Sequence, residues 1–248
     1  MTDYIEGRRP LVEALKSNMP LQEILMADNI KHDSLIADIE RKAKQNNVPI
    51  KQVPKRKLDE ISVRGSHQGV CAQIEEFHYV GIKEIVEASN QYAQNHDGRA
   101  LVVVLDHITD AGNLGAIARS AEAVGTSGII IPSKRSACVT AATYKSSAGA
   151  ISHIPVVQVS NIYASLERLK KEGFWIAAAT EQAQDVIWKS NLKGKIAFVM
   201  GNENEGLSRL VLENCDFYVK LPMEGIVGSL NVAQAATACM YEWLRQNQ

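Results

Sequence analysis

The sequence predicts an α/β protein: a small N-terminal α/β unit followed by a larger unit on a mostly parallel sheet. Three observations carry this. Apolar runs of strand length recur at 100–105, 128–131, 155–158, 174–179, 195–200 and 216–221. Segments of helical spacing lie between them, at 113–124, 138–147, 160–171, 206–213 and 230–246. Such alternation marks a mostly parallel sheet covered on both faces. The N-terminal stretch, in contrast, holds its own shorter set of elements.

In that stretch, Leu11 to Leu15 forms a short helical patch, with Pro10 suited to a first turn. LQEILMA (21–27) alternates as a strand does. Leu35, Ile36, Ile39 and Ala43 recur at helical spacing in 33–47, with Asp33 or Ser34 as cap. PIKQV (49–53) and GVCAQIE (69–75) read as strands around a short helix at 55–62. Residues 76–98 are more polar and carry one helical segment. The predicted division is an N-terminal domain at 1–76, a linker at 77–98 and a C-terminal domain at 99–248.

The chain has 248 residues, 46% hydrophobic and 22% charged, ordinary values for a globular protein. A formal net charge of −1 announces no global attraction to nucleic acid, although a local basic face can hide in a neutral total. Cys71, Cys138, Cys215 and Cys239 form no CxxC pair and read as separate reduced thiols. The start, MTDYIEGRRP, has no apolar core of a signal peptide, and no apolar run approaches the roughly 18 residues of a membrane span. The expectation is a cytoplasmic protein without membrane association or a metal site.

Three strand-to-helix loops hold the chemistry. The first, DAGNLGAIARSAEAVG (110–125), invites comparison with phosphate cradles. Gly112 and Gly115 have the wrong spacing for a dinucleotide fingerprint, no acid follows the next strand, and a P-loop lysine is absent. Left alone, the loop is a tight turn with Asn113 as helix cap and Arg119 paired to Glu122. A second strand runs into GNENEGLSR (201–209), dense in polar groups. A third runs into MEGIVGSLNVAQAA (223–236), with Ser229 as plausible cap and Asn231 in the first helical turn. Polar loops at strand carboxyl ends are where open α/β sheets bind ligands, so the three argue for one composite pocket.

Together, DAGNLGAIARSAEAVG, VMGNENEGLSR (199–209) and LPMEGIVGSLNVAQAA (221–236) resemble the SpoU, or TrmH-type, branch of the SPOUT RNA methyltransferases. EGRRPLVEAL (6–15) and HQGVCAQI (67–74) resemble the small L30e-like substrate-binding domain of the 23S rRNA guanosine-2′-O-methyltransferase subgroup. The resemblance spans nearly the whole chain. It implies methyl transfer from S-adenosylmethionine to a ribose 2′-hydroxyl of structured RNA, a trefoil-knotted C-terminal domain and a homodimer formed through it. Ala111 and Gly112 stand where the family usually has proline after the aspartate.

By the same resemblance, Arg119 is the catalytic arginine. A guanidinium stays protonated, so its expected work is to hold RNA phosphate and stabilise the developing alkoxide. Asn113 orients Arg119 or the ribose, Glu203 anchors the arginine or the substrate, and Ser229 and Asn231 hydrogen-bond either. The donor is expected against Thr180, Gly201, Leu221 and Leu230, with Gly201 letting the backbone approach it closely. Arg8, Arg9, Lys55, Arg56, Lys57 and Arg64 are the candidate RNA contacts of the small domain. His67 and Gln68 either read RNA or close a turn, and His107 stands beside the first motif. A guanosine of 23S rRNA is the expected target. A tRNA guanosine, an rRNA adenosine methylated for antibiotic resistance, or an inactive RNA-binding module are the alternatives.

Overall fold

The computed structural model describes residues 4–17, 19–63, 65–202, 205–226 and 228–248. In the small unit, β1 (Tyr4–Glu6), β2 (Leu21–Ala27), β3 (Ile50–Val53) and β4 (Val70–Ile74) form one sheet in the order β1-β4-β2-β3. Helices α1 (Arg8–Lys16), α2 (Ser34–Gln45) and α3 (Lys55–Ile61) complete it. Asp33 starts α2: its carboxylate accepts from the Leu35 and Ile36 amides, both at 3.0 Å. Strand β1, unforeseen in the sequence, is three residues long and held by antiparallel pairing to β4.

The large sheet contains β5 (Ala100–Asp106), β6 (Gly128–Pro132), β7 (Val156–Val159), β8 (Trp175–Ala179), β9 (Lys195–Gly201) and β10 (Phe217–Val219). Their order is β10-β8-β9-β5-β6-β7, and every neighbouring pair is parallel. Helices α4 (Ile82–Gln94), α5 (Ala111–Ala123), α6 (Ala141–Ser146), α7 (Ile162–Lys171), α8 (Arg209–Glu213) and α9 (Val232–Gln246) surround it. All seven residues of β5 are buried, as a central strand covered on both faces requires. Asp106 pairs with Gly201, Ala179 with Met200, and Val219 with Ala179. Those four strands therefore end at one level, and their following loops gather there.

The 77–98 segment, expected as a linker, is packed against the large sheet. Val80 bridges to Val157, and Ile85, Val86 and Ala93 of α4 join Val102 and Val104 in one apolar cluster. At the boundary between the units, the Tyr79 hydroxyl accepts a hydrogen bond from the Val139 amide at 2.9 Å. The Phe77 ring meets Tyr79 and Tyr144 edge-on, with centroids 5.0 and 6.4 Å away. A second apolar cluster runs from Leu11, Ile24 and Ile36 of the small unit into Leu101, Ile117 and Phe198 of the large one. Among the described residues, no helix is long and apolar enough to cross a membrane.

Candidate active site

Helix α5 begins earlier than its sequence suggests. Asp110, not Asn113, is its cap, accepting from the Asn113 amide at 2.7 Å. Asn113 is thus placed inside the first turn, and its Oδ1 accepts from Asn231 Nδ2 at 3.0 Å. Asn231 in turn caps α9, its Oδ1 accepting from the Ala233 amide at 2.9 Å. Ser229, the expected cap, lies two residues before it and is exposed. The side chains of Asn113 and Asn231 consequently join the first loop to the third. Further along the same helices, the Ser120 and Thr237 hydroxyls meet at 2.7 Å.

The second loop folds back over its own strand. Asn202 and Gly206 exchange backbone hydrogen bonds of 3.0 and 2.8 Å. A Cβ on Gly201 would stand 2.4 Å from the Gly206 carbonyl carbon and 2.6 Å from Leu207 N. Glycine at 201 is therefore required by the loop's own backbone. Asp106, buried at the end of β5, accepts from the Ser208 amide at 2.7 Å and lies 2.6 Å from the His107 ring. Asn202 Nδ2 donates to the His107 carbonyl at 2.8 Å, so His107 couples the first loop to the second.

The second and third loops, with the segment after β8, enclose a cleft of about 540 Å³, and no residue of the first loop lines it. Thr180, Gly201, Leu221 and Leu230, the four expected donor contacts, all line it, together with Ser229 and Asn231. Its apolar floor comes from Val232, Ala235 and Cys239 of α9. Glu181, Glu205 and Lys220 supply charge at its rim. Burial pushes the Cys239 thiol up to about 12, which keeps it neutral. A larger cleft of about 840 Å³ lies along β8 and β10 but includes only Thr180 of the expected site residues.

Arg119 is exposed on α5 and is absent from the lining of this cleft. Its expected ion pair with Glu122 is not among those of the described residues. Glu203 lies outside the described residues.

In the small unit, Arg8 is engaged: it meets Asp33 at 2.5 Å and donates to the Gln68 carbonyl at 3.1 Å. Arg56 pairs with Glu60 at 3.1 Å, whereas Arg9, Lys55 and Lys57 are exposed. Arg64 lies outside the described residues. His67 closes a turn: it is buried, accepts from the Gly69 amide at 3.0 Å and meets Asp59 at 2.9 Å. Gln68 does the same through Arg8. Sequence reasoning missed Asp106, because a buried carboxylate at a strand end has no local signature. It also missed the cap of Asp110, although an aspartate three residues before a helical asparagine was a readable signal.

Comparisons with known proteins identify the family. Residues 100–241 match the SpoU rRNA Methylase family, and residues 4–80 match the RNA 2′-O ribose methyltransferase substrate binding family. The Bacillus subtilis (strain 168) protein YacO, named for the TrmH family of tRNA/rRNA methyltransferases, is 38% identical over 244 residues. That alignment covers 98% of this chain and 96% of YacO. A Staphylococcus aureus (strain MSSA476) relative of the same family is also 38% identical, over 98% of this chain and 95% of its own. Among solved structures, the SpoU methyltransferase AviRb from Streptomyces viridochromogenes, in complex with the cofactor AdoMet, superposes with a TM-score of 0.72. It is 25% identical, covering 99% of this chain and 90% of AviRb. An rRNA methyltransferase from Sinorhizobium meliloti, 21% identical, shares the fold with a TM-score of 0.68, over 98% of this chain and 87% of its own. With the matched family spanning the parallel strands from β5 to β10 and relatives 38% identical over nearly the whole chain, the chain belongs to the SpoU rRNA methylase family.

Proposed function

We propose that this S-adenosylmethionine-dependent RNA methyltransferase methylates a ribose 2′-hydroxyl, at a guanosine of 23S rRNA in the cytoplasm. The observation that carries the reading is the convergence of Thr180, Gly201, Leu221, Leu230, Ser229 and Asn231 on one cleft, with Asn113 bound to Asn231. The small unit's match to 2′-O ribose methyltransferase substrate binding supports both the ribose position and the RNA partner.

The cleft fits the donor. Its volume falls in the range of about 300–1,000 Å³ usual for small-molecule sites. Leu221, Leu230 and Ala235 offer apolar walls for a purine, and Glu181 and Glu205 offer negative charge to a cationic ligand. When bound, S-adenosylmethionine supplies a methyl group on a sulfonium, already a good leaving group. The chain's own work is to position the ribose and stabilise the oxygen as it loses its proton. Asn113 and Asn231 fix the approach of the first loop to the third. Arg119 holds RNA phosphate and stabilises the alkoxide, the proton passing to a neighbour or to water.

Because Arg119 lies outside the cleft of its own chain, the reading includes a homodimer through the C-terminal domain in which Arg119 serves the partner's cleft. The expected trefoil knot of that domain belongs to the same reading. Mixing inactive Arg119→Ala and Asn231→Ala proteins tests it: activity returns in mixed dimers if the arginine acts across the interface. No recovery on mixing contradicts it.

The substrate is tested by mapping 2′-O-methyl sites in total RNA with and without the gene. Loss of one 23S rRNA guanosine methyl supports the reading. Loss of a tRNA methyl instead replaces the substrate, as does loss of an rRNA adenosine methyl. An unchanged map, with donor binding intact, points to an RNA-binding module.

A further inference from the structure

The loop after β6 carries two adjacent cations, Lys134 and Arg135, that no motif accounts for. Both are exposed, and neither is in an ion pair among the described residues. The backbone fixes where they stand. Val104 pairs with Ile130 and Asp106 with Gly201, so β6 ends beside β5 at the level from which the site loops depart. The Ala137 amide then donates to the Ile108 carbonyl at 2.7 Å, and the Ser136 hydroxyl donates to the same oxygen at 3.2 Å. Ile108 lies two residues before Asp110, the cap of the Asn113 helix. On its other side, the loop continues to Val139, which binds the Tyr79 hydroxyl at the boundary with the small unit.

Lys134 and Arg135 therefore occupy a strip running from the small unit to the first site loop. Arg135 has φ +53°, in the left-handed region that arginine rarely adopts without a constraint, so the turn projecting these side chains is held by its surroundings. Of the acids where the first site loop departs, Asp106 is engaged by Ser208 and His107, and Asp110 by Asn113. Two unpaired cations on an anchored turn, beside a site that acts on RNA, suit phosphodiester oxygens. The geometry points to the 133–136 turn as a phosphate clamp. It grips the RNA backbone between the segment held by the small unit and the nucleotide entering the cleft. This inference rests on the reading of the protein as an rRNA methyltransferase.

The test uses the full chain, a 23S rRNA transcript and the double variant Lys134→Gln/Arg135→Gln. RNA affinity is measured across a potassium chloride series, with donor binding by calorimetry and melting temperature as controls. The expected result is an RNA affinity about tenfold weaker and a log–log salt slope smaller by about one to two, for the loss of one or two phosphate contacts. Donor affinity, melting temperature and turnover at saturating RNA stay at wild-type values. Arg168→Gln/Lys171→Gln removes two exposed cations of α7, just before β8 begins, and leaves the slope unchanged. If the double variant melts early, Lys134→Gln alone carries the test, with a slope change of about one. An unchanged affinity and slope overturn the inference. A wild type that binds the transcript salt-dependently yet incorporates no methyl overturns the functional reading instead, and the clamp is still read from the binding series.

Discussion

Gly115 is the tightest point between the helix that carries Asn113 and its neighbour α6. A Cβ there would lie 2.0 Å from Ser146 Oγ, 2.5 Å from the Thr143 carbonyl oxygen and 3.0 Å from Ser147 N. In Gly115→Ala the serine can rotate away, but it then gives up its hydrogen bonds to the Ala142 and Thr143 carbonyls, worth about 1 kcal/mol. The Thr143 carbonyl has no such freedom, and α6 must retreat by nearly an ångström to restore ordinary contact. Overpacking of this kind costs about 1–3 kcal/mol, and alanine's better helix propensity returns about 1 kcal/mol. The net loss is about 2 kcal/mol, or a melting temperature lower by about 4–8 °C for a chain of this size. Differential scanning calorimetry reads it directly, with Gly225→Ala as a control because nothing lies within 4 Å of that Cβ. Adding Ser146→Ala relieves only the side-chain part of the clash. A Gly115→Ala protein that melts at or above wild type refutes the reasoning.

Because Asp110 caps α5, Asn113→Ala is expected to leave the melting temperature within a degree or two and to lower kcat/KM for methyl transfer by about tenfold or more. Steady-state kinetics and a thermal scan decide it, and the opposite pattern would return Asn113 to a structural role. Iodoacetamide at pH 8 should alkylate exposed Cys138 well before Cys71, Cys215 and Cys239, whose thiols burial pushes up to about 12. Peptide mass spectrometry follows the order, and early labelling of Cys239 would show an open cleft floor. The Ile36 amide, with help from Arg8, holds the Asp33 carboxyl below its usual range. A depressed folded-state value stabilises above the unfolded value of about 3.9 and is lost as pH falls through the folded one. Asp33→Ala should therefore melt below wild type at pH 7, with the gap closing below about pH 4.

The sheet strands were legible because runs such as Ala100–Leu105 and Lys195–Met200 need no context to be read as buried strands. Strand order was not legible: placing β10 outside β8 depends on which crossovers pack, and no local pattern records that. Helix starts erred where two capping residues compete. Asp110 prevails over Asn113, and Asn231 over Ser229, because the loops deliver the chain to those points. Helix α6 begins at Ala141 rather than 138, since Thr140 and Thr143 close a capping box and Val139 is held by Tyr79. The cleft residues were readable through motif order alone, whereas the coupling of Asp106 to Ser208 spans 102 residues and leaves no trace in either loop.

The apolar cluster that continues from Leu11 and Ile36 into Ile117 and Phe198 bears on how such proteins diversify. A substrate-reading unit tethered by open chain could be exchanged between enzymes at little cost. Here an exchanged unit would have to bring matching partners for Phe77, Tyr79 and Tyr144, or bare them to water. A change of substrate is thus more accessible by altering exposed side chains of the small unit in place than by recombining whole domains.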